Sequence, residues 1–299
     1  MTDMAKLHSL AKSVPLNNKT KSTVLNPHAM RSTSPFLLFR SLRVNRSLIY
    51  GLIKRDVVGR YRGSAMGLLW SFFNPILMLT VYTFVFSVVF QARWAGGTGS
   101  KTEFALVLFA GLLVFNLFSE CLNRAPGLIL GNVNYVKKVI FPLEILPIVA
   151  LGSAAFHFAI SFGVWIVFYL IFFGVPSPSL LQLPLVIVPL ILMTLGLSWF
   201  LASLGVYLRD VGQFIGLVTT VLMFLSPIFY PVTVLPEEYR PFMHISPLTF
   251  VVEQARNTMI WGNGIDWGMW WVYSIISVFV AWFGFSWFQK TRKGFADVL

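Results

Sequence analysis

The sequence predicts an all-α integral membrane protein with six transmembrane helices, an amphipathic helix before them and short outer-leaflet helices between spans five and six. The first observation is a series of six apolar runs separated by short polar gaps. A bilayer's hydrocarbon core is about 30 Å thick, and roughly 20 apolar residues cross it as a helix. Backbone groups find no water there, so each run is predicted to be helical. The runs are Gly67–Phe90, Phe104–Cys121, Leu143–Gly174, Leu181–Leu208, Val211–Val232 and Trp267–Phe288.

Composition is the second observation. Of 299 residues, 57% are hydrophobic and 11% are charged, whereas an ordinary soluble domain is roughly 25% charged. The single cysteine, Cys121, excludes an internal disulfide and a cysteine-built zinc site. No Gly-Lys pair occurs, so the chain lacks a Walker A loop and cannot hydrolyse ATP by that route. We therefore predict no metal, no cofactor and no catalytic residue on this chain.

The third observation is the placement of charge. The chain has 23 Lys and Arg against 11 Asp and Glu, a net charge of +12. If both termini are cytoplasmic, 19 of the 23 basic residues lie on the cytoplasmic side of six spans, as the positive-inside rule requires. This distribution predicts that residues 1–35 and 289–299 are cytoplasmic, with a six-span domain over 67–288. It also argues against the nucleic-acid binding that a basic chain otherwise suggests.

The segment before the first span divides into two parts. Residues 1–35 are polar and have no signal-peptide pattern, so a flexible cytoplasmic tail is predicted. Residues 36–66 carry a basic amphipathic pattern, which is typical of a helix on the inner membrane surface among anionic lipids. A lipid anchor and a docking surface for a cytoplasmic partner both remain open. The apolar residues of the pattern are Leu38, Leu42, Ile49 and Ile53.

Spans one and five each have a polar and aromatic face at helical spacing. Small and polar residues are common where membrane helices pack together, so helix packing is one interpretation. A channel lining is the other, because a face directed at lipid has no use for Asn, Thr or Ser. The candidate channel-lining residues are Asn74, Met78, Tyr82 and Phe86 on span one and Thr219, Met223, Ser226 and Tyr230 on span five.

Span three contains two ionisable residues. Glu144 lies near the predicted cytoplasmic boundary, close in sequence to Lys137 and Lys138, so an interfacial ion pair is expected. His157 is 13 residues further on, which is roughly 20 Å along a helix. The two side chains cannot touch within one helix, and His157 is expected to bond to another helix.

The segment after span five is predicted to form two short helices within residues 233–262. Pro236, Glu237 and Glu238 favour the start of the first helix, with acids near its positive end. Ser246 and Pro247 favour an N-cap and first position of the second helix. The polar face of that helix is predicted to hold Glu253, Gln254, Arg256 and Asn257, with Gly262 at its end. An inert surface cap and a gate both fit this pattern.

Four motifs in order resemble the permeases of polysaccharide-export ABC transporters, a family that includes O-antigen, capsule and teichoic-acid exporters. The resemblance covers roughly residues 36 to 290. The first motif contains Arg55, Asp56, Arg60, Tyr61, Ser64, Gly67, Trp70 and Pro75. The others are residues 137–147 with Glu144, residues 225–231, and Ser246-Pro247-Leu248.

The resemblance implies a homodimer of six-span permeases with two copies of a separate ATPase, which holds ATP and Mg. The dimer is expected to move an undecaprenyl-linked polysaccharide, O-antigen by first choice, across the bacterial inner membrane. It implies a conduit along spans one and five and a coupling segment over 123–138 that contacts the ATPase. The implied coupling residues are Gly131, Asn132, Asn134, Tyr135, Lys137 and Lys138, and the implied gate residues are Glu237, Glu238, Glu253 and Arg256.

Two other functions remain open at this point. An ABC permease for a small amphiphile, such as a drug or haem, has the same layout but needs fewer polar and aromatic residues along the spans. A membrane-embedded enzyme acting on lipid-linked sugars needs paired carboxylates or a metal site. Glu237 and Glu238 are adjacent, so they point to different helix faces and do not form such a pair.

Overall fold

The computed structural model describes residues 35–89, 94, 100–137, 141–243 and 246–299. Every regular element within these ranges is helical, which confirms the all-α class. The predicted tail, apart from its last residue, and Lys138 lie outside the described residues. The α-helices are α1 Pro35–Val44, α2 Arg46–Arg60, α3 Trp70–Tyr82, α4 Lys101–Arg124, α5 Gly127–Leu130, α6 Val133–Lys137, α7 Leu146–Phe173, α8 Leu183–Tyr207, α9 Val211–Leu225, α10 Arg240–Met243, α11 Thr249–Arg256, α12 Trp267–Thr291 and α13 Phe295–Val298.

Five helical stretches of the described chain are long and apolar enough to cross a membrane, so this is a multi-pass membrane protein. Short 3-10 or π turns extend several of the α-helices to reach that length. The stretches are Gly67–Phe86 around α3, Lys101–Arg124, Leu143–Phe173 around α7, Pro178–Tyr207 around α8 and Trp267–Val298 around α12.

The fifth apolar run is shorter as a helix than its hydropathy indicates. The run was expected to continue to Val232, but α9 ends at Leu225 after 15 residues. Ser226 has an extended backbone (φ −89°, ψ 150°), as the residue before a proline prefers. Pro227 then removes a backbone donor. Fifteen residues rise roughly 22 Å, less than the hydrocarbon thickness, so the count of six spans stays a prediction.

Helix α4 forms the centre of the bundle. In its most apolar 18 residues 89% are buried, against 17% for the stretch around α3. It packs against α7, α8, α9 and α11, and its side chains dominate the larger hydrophobic core. Any cavity between α3 and the rest of the bundle is therefore lined on one side by the buried helix α4.

Helices α8 and α12 approach at a pair of glycines. A Cβ placed on Gly284 would lie 2.9 Å from the Cα of Gly196, and a Cβ on Gly196 would lie 2.7 Å from the Cα of Ala281. Small residues permit this backbone contact, which is a common device for packing membrane helices.

The predicted interface helix over 36–66 is divided in two. Helix α1 ends at Val44 and α2 ends at Arg60, after which Gly63 and Gly67 adopt positive φ angles of 86° and 50°. Glycine adopts such angles without strain, so the chain can turn there into α3. The apolar stripe of α1 and α2 packs on a second core, which contains Ile129, Phe141, Trp199, Phe288 and Phe295.

Candidate functional site

A cavity of about 560 Å³ lies between α3, α4 and α7. Four of the predicted channel-lining residues contribute to its wall: Asn74, Met78 and Tyr82 from the first span and Met223 from α9. The apolar part of the wall comes largely from α4, through Phe109, Leu112, Leu113 and Leu117.

The other four predicted lining residues are engaged in internal contacts. The ring of Phe86 stacks on Phe229 with 5.1 Å between centroids, and the Thr219 hydroxyl donates to Asn123 Oδ1 at 3.0 Å. Two further hydrogen bonds fix the end of α9, where Ser226 pairs with Ser246 at 2.8 Å and Tyr230 donates to the carbonyl oxygen of Phe224 at 2.7 Å. In the single chain these side chains contact other residues of the bundle, and their role in a conduit stays a prediction.

Sequence reasoning missed the polar contribution of α4 to this cavity. Asn116, Glu120 and Asn123 line it, opposite His157 and Ser161 of α7. The three α4 residues are spaced four and three apart, so they share one helix face. That spacing could have revealed the polar face of α4 from the sequence, but the apolar run was interpreted by its hydropathy alone.

One end of the cavity, which we call the mouth, is formed by Arg60, Tyr61, Glu120 and His157. Glu120 Oε1 accepts from Arg60 Nη2 at 2.5 Å. His157 Nδ1 lies 3.1 Å from Glu120 Oε2 and 3.2 Å from Arg60 Nη1. The Tyr61 hydroxyl is 3.1 Å from His157 Nε2. His157 thus bonds to other helices, and its acidic neighbour is Glu120 rather than Glu144.

A second ion pair stands beside the mouth. One Nη of Arg124 donates to both carboxylate oxygens of Asp56, at 2.7 and 2.8 Å. Asp56 and Arg60 are one turn apart on α2, and Glu120 and Arg124 are one turn apart on α4. The ion pairs Asp56–Arg124 and Arg60–Glu120 therefore have their acidic residues on opposite helices. We call these four residues the ladder and the two ion pairs its rungs. Sliding α2 by one turn would place like charges opposite each other, so the ladder favours the observed register of α2 against α4.

Asp56 also accepts a hydrogen bond from Ser153 at 2.5 Å. Burial raises the pKa of this carboxyl, but the bond from Ser153 and the pair with Arg124 outweigh that effect, and the pKa lies below its usual value. Burial likewise raises the pKa of the Tyr61 phenol, so it stays protonated at the mouth. Asp56 is therefore a permanent anion near neutral pH, which keeps Arg124 engaged.

Residues 47–260 match the family described as ABC-2 type transporter, well over half of the 299-residue chain. The chain belongs to this family. It is therefore a transporter permease, which decides against the membrane-embedded enzyme.

Curated relatives extend the similarity beyond that match. The O-antigen export system permease protein RfbA of Myxococcus xanthus is 27% identical over 262 residues, covering 87% of this chain and 98% of that protein. The capsule polysaccharide export inner-membrane protein CtrC of Neisseria meningitidis serogroup B is 24% identical, covering 89% and 98%. The polysialic acid transport protein KpsM of Escherichia coli is 22% identical, covering 79% and 92%.

In this ABC-2 permease the predicted coupling segment begins with the last two residues of α4. The short helices α5 and α6 follow, with Gly131 and Asn132 in the turn between them. The Asn132 side chain donates to the Leu128 carbonyl oxygen at 2.8 Å and so closes the turn. Tyr135 stacks on Phe141 with 4.3 Å between ring centroids, and its hydroxyl accepts from Arg55 at 3.1 Å. Motion of α6 would therefore act directly on α2.

Within the described residues, which do not include Lys138, Glu144 forms an ion pair with Arg292. Its Oε2 accepts from Arg292 Nη1 at 2.7 Å, its Oε1 accepts from Ser41 at 3.2 Å, and the carboxylate is buried. Lys137 instead donates to the carbonyl oxygen of Leu299. The reason is positional: Glu144 lies in the turn before α7 and faces the end of α12. Trp70, the remaining motif residue, is exposed and lines the cavity.

The outer segment departs from the predicted polar face. Glu237 and Glu238 lie exposed in a 3-10 turn, with Arg240 3.6 Å from Glu237, and Glu253 is half-buried on α11. Arg256 and Gln254 are buried. Arg256 donates to the carbonyl oxygens of Val107 (3.0 Å), Pro227 and Ile228 (2.6 Å) and stacks over Trp94 at 4.3 Å. The break at Pro227 leaves carbonyls without helical partners, and Arg256 satisfies them.

Proposed function

We propose that this chain is the membrane subunit of an ATP-driven exporter that moves a lipid-linked polysaccharide, O-antigen by first choice, outward across the bacterial inner membrane. The names of its relatives support this class of cargo. The observation in the structure that carries the proposal is the cavity between α3, α4 and α7.

The chemistry of the cavity suits a sugar polymer. Three amides, Asn74, Asn116 and Asn123, offer donors and acceptors to hydroxyl groups. Trp70 and Tyr82 contribute aromatic rings to the wall, and such rings can stack on the apolar side of sugar rings. A small amphiphile needs an enclosed apolar pocket with a few polar groups, whereas these groups are spread from Arg60 to Tyr82.

The proposed assembly is a homodimer with two copies of a separate ATPase. The stretch around α3 is mostly unburied although it borders the cavity, so a second copy is the proposed partner for it. The ATPase, which holds ATP and Mg, contacts α5 and α6 on the proposed cytoplasmic side, where both termini also lie. This chain itself carries no cofactor in the proposal.

A matched pair of variants tests the conduit. Met78 lines the cavity, and its neighbour Leu77 is exposed on another face of α3. Met78→Trp should narrow the cavity and reduce surface polysaccharide by about tenfold, as expected if the larger side chain raises the barrier to passage by about 1.4 kcal/mol. Leu77→Trp leaves the cavity lining unchanged, so it should reduce export less than Met78→Trp, even where Leu77 contacts the second copy.

The readout is surface glycan in cells complemented with each variant, normalised to the amount of permease in the membrane. Normal export by Met78→Trp at normal abundance would show that the polymer takes another path. Equal loss in both variants would indicate damage to α3 rather than a blocked cavity.

A further inference from the structure

We propose that Arg60 binds a phosphate group at the mouth of the cavity, and that Glu120 is an internal carboxylate which this phosphate displaces. The inference rests on the proposed function, because the expected ligand is the phosphate-bearing anchor of the lipid-linked polymer. It assigns one cation, one exchangeable anion and one histidine to the recognition of that anchor.

Arg60 is the cation at the mouth that an entering ligand can reach. Its side chain is 37% exposed and lines the cavity, whereas the side chains of Glu120 and His157 are 19% and 16% exposed. Arg124, the other nearby arginine, already holds both carboxylate oxygens of Asp56. A guanidinium binds phosphate through two parallel N–H bonds, and Arg60 now gives one such bond to a single oxygen of Glu120.

His157 Nδ1 has two incompatible neighbours. Arg60 Nη1, at 3.2 Å, can only donate, and Glu120 Oε2, at 3.1 Å, can only accept. With a lone pair, Nδ1 accepts from Arg60, and with a proton it donates to Glu120. The Tyr61 hydroxyl beside Nε2 can donate or accept, so it suits either arrangement. His157 can therefore donate a hydrogen bond from Nδ1 to Glu120 when Glu120 no longer bonds to Arg60.

Arg124 provides a second hydrogen-bond donor for Glu120. Its Nη1 is buried and makes no hydrogen bond within the described part of the chain. It lies 3.7 Å from Glu120 Oε1, so a small rotation of the carboxylate brings it into range. When a phosphate takes Arg60, Glu120 can bond to His157 Nδ1–H and Arg124 Nη1. The exchange thus avoids leaving a buried carboxylate unpaired, which is the costly outcome in such clusters.

The surroundings favour a phosphate that carries an apolar chain. Helices α3 and α7, which flank the mouth and cavity, also border an apolar groove of about 460 Å³ lined by Phe72, Ile76, Phe156 and Gly163. An anchor held at Arg60 would have its sugar in the polar cavity and its prenyl chain along this groove. The polar cavity and the apolar groove are thus bordered by the same two helices, which suits a ligand that carries both a sugar and a prenyl chain.

The test measures binding to the full permease–ATPase complex in detergent by native mass spectrometry. The probes are undecaprenyl diphosphate, phosphatidylglycerol and inorganic pyrophosphate. Arg60→Gln should weaken undecaprenyl diphosphate binding about tenfold to a hundredfold, as expected for a charge-assisted pair. Glu120→Gln should tighten it, because the competing carboxylate is gone. Arg62→Gln, an exposed neighbour outside the cavity wall, is the matched control.

The gain in Glu120→Gln is the decisive result, since loss of a merely structural ion pair would not improve binding. Weaker binding in Glu120→Gln, or equal binding by Arg60→Gln and Arg62→Gln, would overturn the proposal. Equal affinity for phosphatidylglycerol or pyrophosphate, with equal loss in Arg60→Gln, would overturn the assignment to a lipid-linked diphosphate.

The Met78→Trp export assay separates this inference from the proposed function. If Met78→Trp blocks export while Arg60→Gln binds the diphosphate normally, the conduit stands and the anchor site alone fails. If Arg60 binds the diphosphate but Met78→Trp exports normally, the anchor site stands and the conduit fails.

Discussion

The two ends of α4 accommodate buried charge in different ways. At the Arg124 end, four charged side chains from α2 and α4 form a ladder of ion pairs beside the cavity. At the Lys101 end, the buried Arg256 is held by backbone carbonyl oxygens from α4 and from the break after α9. The partners at one end are side chains that can rotate, and at the other they are fixed backbone atoms.

This difference indicates where the molecule can rearrange. Partly exposed ion pairs are worth little net free energy, with a median near 0–1 kcal/mol, so they exchange partners readily. Buried carbonyls that lose a donor cost about 1–3 kcal/mol each. We therefore expect the ladder end, next to α6 and the proposed ATPase contact, to respond to movement while the Arg256 end holds the bundle together.

The largest expected effect is at Arg256. Replacing it in Arg256→Met leaves the carbonyl oxygens of Pro227 and Ile228 without their donor and should reduce stability by at least about 2 kcal/mol. Membrane abundance and the thermal unfolding midpoint in detergent measure this. Arg240→Met removes a half-buried arginine of the same outer segment and should be mild. Similar midpoints for the two variants would refute the contrast between the ends.

The next effect concerns the ladder. Asp56→Arg places a second cation against Arg124 and should lower both abundance and polysaccharide export. The swap Asp56→Arg with Arg124→Asp restores opposite charges and should recover much of the loss, with a coupling free energy of roughly 0.5–3 kcal/mol. A double variant no better than the sum of its singles would mean that the rungs do not fix the register of α2.

Variants of Tyr82 and Tyr230 distinguish a role in the conduit from a role in helix packing. Tyr82 lines the cavity, whereas the Tyr230 hydroxyl is bonded to the Phe224 carbonyl oxygen. Tyr82→Ala should slow export at normal abundance, by an amount consistent with a stacking contact of about 1–3 kcal/mol. Tyr230→Ala should instead lower abundance in proportion to export. Surface glycan per permease molecule distinguishes the two outcomes. A low value for Tyr230→Ala would indicate that Tyr230 lines the conduit.

The smallest effect is the pH dependence of the ladder. The pKa of Asp56 is lowered in the folded protein, so its contribution is fully present above the unfolded value of about 3.9 and is lost as pH falls through the folded value. Since Asp56 is partly exposed, the contribution should stay under about 1 kcal/mol. The unfolding midpoints of wild type and Asp56→Asn should converge below about pH 4, and a constant gap would contradict this.

Prediction from sequence succeeded where the signal was local and failed where it was not. The class of the fold and most of the long helices followed from hydropathy. Gly262, with φ of +70°, ends the π-helical segment Asn257–Trp261 that continues α11, close to where the sequence predicted the helix end. The end of α9 was misplaced because hydropathy continued past Pro227. The polar face of α4 was missed because three polar residues barely change the hydropathy of an otherwise apolar run.

The sequence by itself determined that this chain is helical and crosses a membrane, because backbone hydrogen bonding in a bilayer leaves few alternatives. Its motifs also indicated the transporter class. Only the tertiary structure decided which side chains meet. Arg60 and Glu120 are 60 residues apart, and Glu144 and Arg292 are 148 apart. Such pairs depend on how the helices pack, so the sequence around a carboxylate does not show which cation it will pair with. The same holds for Arg256, whose polar partners are a carbonyl oxygen of α4 and two carbonyl oxygens at the break after α9.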